Sequence, residues 1–407
     1  MAPERDGYQE IAAAAAEKSE KAIFIIGRTA GEDKDYANEA GSYLLTPEEL
    51  ENLKVLTAHF EQVAVLLNVS NIIDMSWLKN PVYKDHIRSV LYIWQGGMES
   101  GNAVADVLSG KVSPSGKLTD TIACSLADYP AANDFGGTVR NFDTEDIYVG
   151  YRYFETFCPE KVMYEFGFGL SYSKFDIEIL KAETVTEESE VGGAWGSHGV
   201  SIDNGTCAGK EVIQLYVSKP SVKLDQPYQE LAAFAKTKLL QPGESQELTM
   251  TYAISDMSSY DDTGKVQKSA YVMEAGDYHI YVGNSIKDAT EQGVRYTYKV
   301  EDTEVTEQLS QQCAPVQLEK RLLADKTYED LRTSSEETNS HYTIPSEGTT
   351  KVEAENFLNS SGNLNVETFY DENMEMKRCL AYLNEAGRYM EYELTAEEAG
   401  KYEVIMC

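Results

Sequence analysis

Three short, continuously apolar runs, separated by segments with a helical pattern, constrain the fold of the first part of this chain. They read AIFIIG at 22–27, VAVLLNV at 63–69 and SVLYIW at 89–94. Strands that are apolar at every position are typical of parallel sheets, in which helices cover the faces. The pattern therefore predicts an α/β domain with a largely parallel sheet flanked by helices.

Helix signals lie between these runs. The Ala-rich segment GYQEIAAAAAEKSEK at 7–21 favours a helix. Thr46-Pro47-Glu48-Glu49 has the form of a capping box, with proline at the first helical position. A further helix is predicted in ESGNAVADVLSG, and Gly110 is expected to end it.

The pattern changes to period-2 alternation after residue 171. The runs KEVIQLYVSKP at 210–220, ESQELTMTY at 244–252 and GDYHIYVGNS at 276–285 are each bounded by proline or glycine turns. No convincing amphipathic helix accompanies them. This region is predicted to be a β-sandwich of about 100 residues, of the immunoglobulin or fibronectin III type.

Four domains are expected along the chain, with boundaries set by these changes of pattern. Residues 1–170 form the α/β domain, 171–300 the all-β sandwich, 301–350 a polar linker, and 351–407 a further β-sandwich that is only partly present. The last prediction rests on the strand-like runs TKVEAENF, GRYMEYELT and GKYEVIM.

The charge balance excludes several partners. The chain of 407 residues has 68 acidic and 35 basic residues, a formal charge of −33. Because phosphate binding requires clustered Lys and Arg, neither a nucleic acid nor an anionic membrane is an expected partner. A neutral ligand such as a sugar is compatible with this charge. The six cysteines form no CxxC pair and the five histidines are scattered, so no metal and no cofactor are predicted.

The start MAPERDGYQE lacks the charged and apolar regions of a signal peptide. No run approaches the ~20 apolar residues that a spanning helix needs. The cellular compartment stays open.

Several long motifs resemble glycoside hydrolase family 3. WQGGMESGNAVADVLSGKVSPSGKL at 94–118, IYVGYRYFE at 147–155 and YEFGFGLSYSKF at 164–175 are similar to signatures of that family's second domain. The later runs GKEVIQLYVSKP and LQPGES resemble the fibronectin type III-like domain that follows in many members. The resemblance covers residues 20 to 290 approximately, and the motifs occur in the family's order.

The resemblance implies that two domains each supply one catalytic residue. In the family, a (β/α)₈ barrel carries the nucleophilic Asp, and the second domain supplies the general acid/base, a Glu in a motif like GRxSGEGxDR. Here GRTAGEDKDY, followed by GSYLLT, aligns Glu32 with that Glu. Asp33 replaces the usual Gly, and Tyr36 stands where the family often has Arg. The family's LPxTFP after PSGK is LTDTIA here.

Other interpretations of these residues stay open. The alternative for Glu32 is a solvated loop acid near Lys34 and Arg28, and Glu39 is the competing acid of the same loop. Trp94 is either a residue that stacks on a sugar or a structural residue at the end of a core strand.

The acids Glu353 and Glu355 in VEAENF resemble those of the opening strand of carbohydrate-binding modules of families 6 and 35. There, such acids often bind a structural calcium ion. The alternative is an ordinary polar strand face.

The resemblance implies part of a retaining, exo-acting β-glycosidase of β-glucosidase type, whose substrate is a β-linked oligosaccharide or glycoside. The alternatives are a β-xylosidase fragment and a non-catalytic carbohydrate-binding or scaffolding protein. The barrel is expected upstream of residue 1. Because a retaining glycosidase needs two carboxyl groups about 5 Å apart, the isolated chain is expected to be inactive without the barrel nucleophile.

Overall fold

The computed structural model describes residues 7–28, 36–132, 143–187 and 193–310, and shorter stretches from there to residue 403. The shorter stretches are 318, 320–331, 341–345, 350, 352, 359–360, 365–370, 376–381, 390–398 and 400–403. The chain divides into two compact units. The first consists of Met1–Pro130 with Ile147–Gln311, and the second of Ala131–Asp146 with Gln312–Cys407.

The first unit begins with an α/β part. Its elements are α1 (Tyr8–Ala16), β1 (Lys21–Gly27), α2 (Pro47–His59), β2 (Gln62–Asn68), β3 (Ile87–Tyr92), α3 (Ser100–Leu108), β4 (Ile122–Ala123), α4 (Tyr151–Phe157) and β5 (Val162–Tyr164). Strands β1, β2 and β3 pair side by side in parallel, as the sequence pattern predicts.

Helices α1 and α2 cover one face of this sheet. Phe24 and Ile26 of β1 pack in one core with Ala12 of α1 and with Leu53 and Leu56 of α2. Helices α2 and α3 lie close to their predicted positions, whereas α1 ends at Ala16, five residues before the end of the predicted segment, and Lys21 already belongs to β1. Gly110 follows α3 with a positive φ of 75°. In β1 the burial differs from the expectation for an all-apolar run. Ile23 is 56% exposed and Ile25 is 52% exposed on the opposite face.

The fibronectin-like part of the first unit is a β-sandwich with one short helix. Its elements are β6 (Phe175–Glu187), β7 (Gly193–Asn204), β8 (Val212–Ser218), β9 (Glu230–Lys236), β10 (Ser245–Ala253), β11 (Ser259–Asp261), β12 (Ala270–Met273), β13 (Gly276–Gly283), α5 (Ile286–Gln292), β14 (Tyr296–Val300) and β15 (Glu304–Gln308). The sheets have the orders β14-β13-β8-β9, β10-β7-β6 and β11-β12-β15. The all-β prediction is confirmed, and α5 is an element that it did not include.

Strand β15 lies within residues 301–350, for which the sequence predicts a linker, and it pairs with β12. The domain boundaries inferred from the sequence remain predictions.

Aromatic rings join the two parts of the first unit. The ring of Tyr151 in α4 stacks on that of Phe166, with 4.5 Å between centroids. Tyr216 of β8 meets Tyr151 edge-on at 6.2 Å. The backbone N–H of Leu231 in β9 donates to the Tyr151 hydroxyl at 2.9 Å. The family-like motifs at 147–155 and 164–175 thus build this junction.

The described residues of the second unit include several short strands. They are β16 (Lys320–Leu322), β17 (Tyr328–Asp330), β18 (His341–Ile344), β19 (Asn359–Ser360), β20 (Asn365–Tyr370), β21 (Met376–Ala381), β22 (Met390–Glu391) and β23 (Glu393–Ala396). They pair as β16-β17, β18-β23, β19-β22 and β20-β21. Glu353 and Glu355 lie outside the described residues, so the calcium hypothesis stays a prediction. No helix in the described ranges has the length and apolar character to cross a bilayer.

Candidate active site

The carboxyl ends of the three parallel strands meet at one edge of the sheet. Strand β1 ends at Gly27, β2 at Asn68 and β3 at Tyr92. In open α/β sheets, ligands bind outside this edge, where the loops that follow the strands form a crevice. Glu32 belongs to the loop after β1 but lies in 29–35, outside the described residues. The structure describes the residues at both ends of that segment.

Arg28 anchors the start of the segment. Its side chain is 5% exposed, and it binds both carboxylate oxygens of Glu49, with Nη1–Oε1 and Nη2–Oε2 distances of 2.7 and 2.9 Å. Its guanidinium also donates to the carbonyls of Gly27, Ser42 and Leu44 at 2.9 to 3.1 Å. Arg28, which is close to Glu32 in sequence, is therefore paired with Glu49 and hydrogen-bonded to backbone carbonyls.

Glu49 has a second role at the start of α2. The backbone N–H of Glu49 donates to Thr46 Oγ1 at 3.1 Å, and the N–H of Thr46 donates to Glu49 Oε2 at 2.9 Å. This is the predicted capping box. One carboxylate thus caps a helix and holds the arginine at the end of β1.

Tyr36 lies at the other end of the segment. Its hydroxyl is 2.9 Å from Ser70 Oγ, which follows β2. The N–H of the next residue, Ala37, donates to Ser42 Oγ at 2.9 Å. Where the family often has a charged arginine, this chain has a neutral hydroxyl pair that ties the loop after β1 to the loop after β2.

The competing acid, Glu39, lies in an exposed turn. Its carbonyl accepts from the N–H groups of Ser42 and Leu44 at 3.2 and 3.1 Å, and its side chain is exposed to solvent. The structure therefore gives Glu39 a backbone role in the turn before α2.

The end of β3 carries two aromatic rings. Those of Tyr92 and Trp94 lie 4.5 Å apart between centroids, at 42°. The Tyr92 hydroxyl accepts from the N–H of Ile73 at 2.9 Å and lies 3.3 Å from the Asn71 carbonyl, and burial raises the pKa of this phenol. Trp94 is partly exposed and lies beyond the last residue of β3.

Sequence reasoning did not single out Ser70 or Tyr92 at this edge. Neither residue is distinctive within its own segment of sequence. The segments that carry them come together only because the strands pair in parallel. Within the ranges that the structure describes, no group of three His, Cys, Asp or Glu side chains could hold a metal ion.

Comparison with known proteins gives the family. A model of the glycosyl hydrolase family 3 C-terminal domain matches residues 5–172. A fibronectin type III-like model matches residues 211–286. The chain belongs to glycoside hydrolase family 3. The matched regions are its C-terminal α/β domain and its fibronectin type III-like domain.

Among relatives in family 3, β-glucosidase A of Butyrivibrio fibrisolvens is 42% identical over 357 residues, which are 79% of this chain and 42% of that protein. A β-glucosidase of Ruminococcus albus is 43% identical and covers 78% of this chain and 32% of its own length. A solved β-glucosidase from Paenibacillus barengoltzii is 49% identical with a TM-score of 0.73, over 80% of this chain and 36% of that one. The chain thus spans less than half the length of these relatives.

Proposed function

We propose that this chain supplies the general acid/base, Glu32, of a retaining exo-acting β-glycosidase of β-glucosidase type. The proposal rests on one observation above all. The family 3 model spans the GRTAGEDKDY segment, and the relatives that match it carry the name β-glucosidase. The sheet edge supports it, because the loop after β1 begins where open α/β sheets bind ligands.

The chemistry requires two carboxyl groups that act in turn. A carboxylate attacks the anomeric carbon while Glu32 donates its proton to the departing glycosidic oxygen, which leaves as an alcohol. Glu32, now a carboxylate, removes a proton from water. That water attacks the anomeric carbon, releases the nucleophile and leaves Glu32 protonated again.

The nucleophile in this proposal comes from a (β/α)₈ barrel, in the same polypeptide or in a separate one. Double displacement needs the second carboxyl group about 5 Å from the first. The 407-residue chain by itself therefore does not turn over a β-glucoside. The substrate is a neutral β-linked glycoside, which suits a chain of formal charge −33.

The test compares Glu32→Gln with its matched control Glu39→Gln, a change seven residues away in the same loop region. Each is assayed on aryl β-glucosides, as the 407-residue chain alone and together with a family 3 barrel domain. With the barrel, E32Q lowers kcat/KM, which reports the first step, by about 10²- to 10⁴-fold for a poor leaving group, the usual contribution of general acid catalysis. The loss is smaller for 2,4-dinitrophenolate, which departs without a proton. E39Q changes the rate on either substrate by less than about twofold.

Two results contradict the proposal. Equal losses for E32Q and E39Q, or a loss in E32Q that does not depend on the leaving group, refute the acid/base role. Turnover by the chain alone that E32Q abolishes refutes the need for a barrel carboxylate.

A further inference from the structure

A cavity lies in the fibronectin-like part, between strand β6 of one sheet and strand β13 and helix α5 on the other side. Its volume is about 230 Å³, and it is open to solvent. Liquid water occupies about 30 Å³ per molecule, and covalently bonded atoms pack more closely than that. The cavity therefore has room for one small molecule of about a dozen non-hydrogen atoms.

The cavity forms because β14 is shorter than its neighbour β13. Pairing between them ends at Ile280, so Val282 lies beyond the end of β14. The N–H of Arg295 donates to the Ile280 carbonyl at 2.8 Å, where the chain returns from α5 to the sheet. Helix α5 lies close to β13, since a Cβ on Gly283 would be 2.4 Å from the Ala289 nitrogen. Backbone packing thus fixes the wall that α5 forms.

The floor of the cavity is apolar. It consists of Ile177 and Ile179 of β6 and Val282 of β13. Val282 belongs to the core of the sandwich, and the two isoleucines pack against that core. Such a floor favours contact with C–H groups, because the contact removes apolar surface from water. A ligand that fits here has one apolar face.

The rim of the cavity is polar and carries charges of both signs. Gln292 Oε1 accepts from Arg295 Nη2 at 2.6 Å, and Gln292 Nε2 donates to Asp288 Oδ1 at 3.4 Å. Glu178 of β6 also lines the cavity. Within the ranges that the structure describes, neither Arg295 nor Glu178 forms an ion pair. A guanidinium and a carboxylate on separate elements therefore remain available to a ligand.

These rim groups select against a charged ligand. An anion that binds Arg295 also meets the carboxylates of Glu178 and Asp288, on a chain of formal charge −33. A cation that binds those carboxylates meets the guanidinium. A hydroxyl is both a donor and an acceptor, so adjacent hydroxyls can bind a guanidinium and a carboxylate together. The groups present thus fit a neutral ring that has hydroxyls at its edge and C–H groups on its face.

We propose that this cavity binds one neutral pyranose, with a C–H face of the ring on the apolar floor. Arg295 donates to its hydroxyls, and Glu178 and Asp288 accept from them. The inference uses only residues of the fibronectin-like part, so it does not rest on the role proposed for Glu32. It gives the fibronectin-like part a sugar-binding role of its own.

The primary test is a titration of the full chain with methyl β-D-glucopyranoside, followed by the methyl ¹H–¹³C signals of isoleucine. The variants Ile177→Val and Ile179→Val assign the two floor signals. Both signals should shift saturably in the wild-type chain, with a Kd of about 1 to 10 mM. Ile122 is the internal control, because it is 1% exposed and lies in β4 of the α/β part. Its signal is assigned with Ile122→Val.

Floor signals that stay unchanged at about 100 mM glucoside overturn the proposal. So does an equal shift of the Ile122 signal, which would show a general effect of the added sugar. Leucine, inorganic phosphate and Mg²⁺ are the comparison probes. A saturable response to one of these in the absence of a response to the glucoside also overturns the proposal. The wild-type titration decides the question even if a rim variant does not fold.

Two rim variants test the polar contacts. Arg295→Met and Glu178→Val should each raise the Kd for the glucoside by about tenfold or more, because each removes a charged hydrogen-bonding group. The matched control is Glu183→Val, at another site on β6, where the carboxylate is 2.6 Å from Lys181 Nζ. It should leave the Kd within about twofold. Wild-type affinity in both rim variants, or an equal loss in Glu183→Val, contradicts the proposed contacts.

Glu32→Gln separates this inference from the proposed function. The signals of Ile177 and Ile179 should respond to the glucoside in that variant as in the wild-type chain, because binding needs no proton transfer. A failure of the acid/base role thus leaves the response of the cavity intact. Loss of the floor response in Glu32→Gln would contradict a site formed by the fibronectin-like part alone.

Discussion

His198 shows how much one buried residue can control the stability of the fibronectin-like part. It is fully buried in β7, its Nε2 lies 3.2 Å from the Tyr252 hydroxyl, and its ring stacks parallel to that of Tyr252. Its Nδ1 has no hydrogen-bond partner within the described ranges. Burial disfavours the imidazolium and lowers the pKa of His198 from 6.5 to about 4.

This pKa shift predicts acid sensitivity. Between pH 6.5 and pH 4 the unfolded chain binds a proton at His198 that the native chain does not bind. The free energy of unfolding therefore falls as the pH is lowered through this window, by about 3 kcal/mol in total. In His198→Gln that part of the pH dependence disappears. Urea unfolding at pH 7, 5.5 and 4 measures the difference between variant and wild type.

The matched control is His279→Gln, in a partly exposed histidine of β13 whose Nδ1 lies 3.1 Å from Thr297 Oγ1. It should leave the slope of stability against pH unchanged. A wild-type slope that persists in His198→Gln would show that other groups cause the acid sensitivity.

At the scale of elements, the Arg28–Glu49 pair joins the end of β1 to the start of α2. Both side chains are largely buried, at 5% and 15% exposed. A buried ion pair is costly to break from one side, because the remaining charge loses its partner. The pair also fixes the backbone at residue 28, directly before the segment that carries Glu32.

Glu49→Gln tests this connection. Glutamine keeps an acceptor for the Thr46 N–H but removes the charge that Arg28 binds, and we expect a loss of about 3 to 5 kcal/mol in the free energy of unfolding. The control Glu48→Gln changes the preceding residue, an exposed acid of the same helical turn. It should cost less than about 0.5 kcal/mol. Similar midpoints for the two variants in urea would show that the pair contributes little.

The elements differ in how well the sequence predicts them. Helix α2 is predicted closely because its capping box and proline are local signals. Helix α5 spans only Ile286–Gln292, too short for a clear periodic pattern, and packing supports it, since Ile286 and Ala289 are fully buried. Residues 22–26 of β1 are all apolar, yet the sequence does not show that Ile23 and Ile25 remain exposed.

At the scale of the whole molecule, the α/β and fibronectin-like parts of the first unit share a buried ion pair. Lys117 Nζ lies 2.9 Å from Glu211 Oε1, and the two side chains are 10% and 7% exposed. Asn284 Nδ2 donates to the other oxygen of Glu211 at 3.2 Å, and Lys117 also reaches the Gly169 carbonyl at 3.3 Å. Because this pair and the aromatic contacts of Tyr151 connect the two parts, we expect them to unfold as one cooperative block.

Glu211→Gln therefore lowers protection against hydrogen exchange in both parts. The loss should be about 3 kcal/mol or more, because Lys117 is left buried without its anion. The comparison variant Asp106→Asn breaks the ion pair with Lys111, in which the Lys111 side chain is 71% exposed and that of Asp106 is 36% exposed. It should lower the free energy of unfolding by about 1 kcal/mol at most. Lower protection confined to the fibronectin-like peptides would refute the cooperative block.

The sequence by itself determined the properties that depend on neighbouring residues: the alternation of strands and helices, the capping box at Thr46, the change to period 2 after residue 171, and the motifs of family 3. These are local because hydrogen bonding and side-chain periodicity act over a few residues. Only the tertiary structure decided that Arg28 binds Glu49, that Lys117 binds Glu211, and that Trp94 lies partly exposed beside Tyr92. Such contacts depend on how distant segments pack, and the same residue types satisfy many packings equally well.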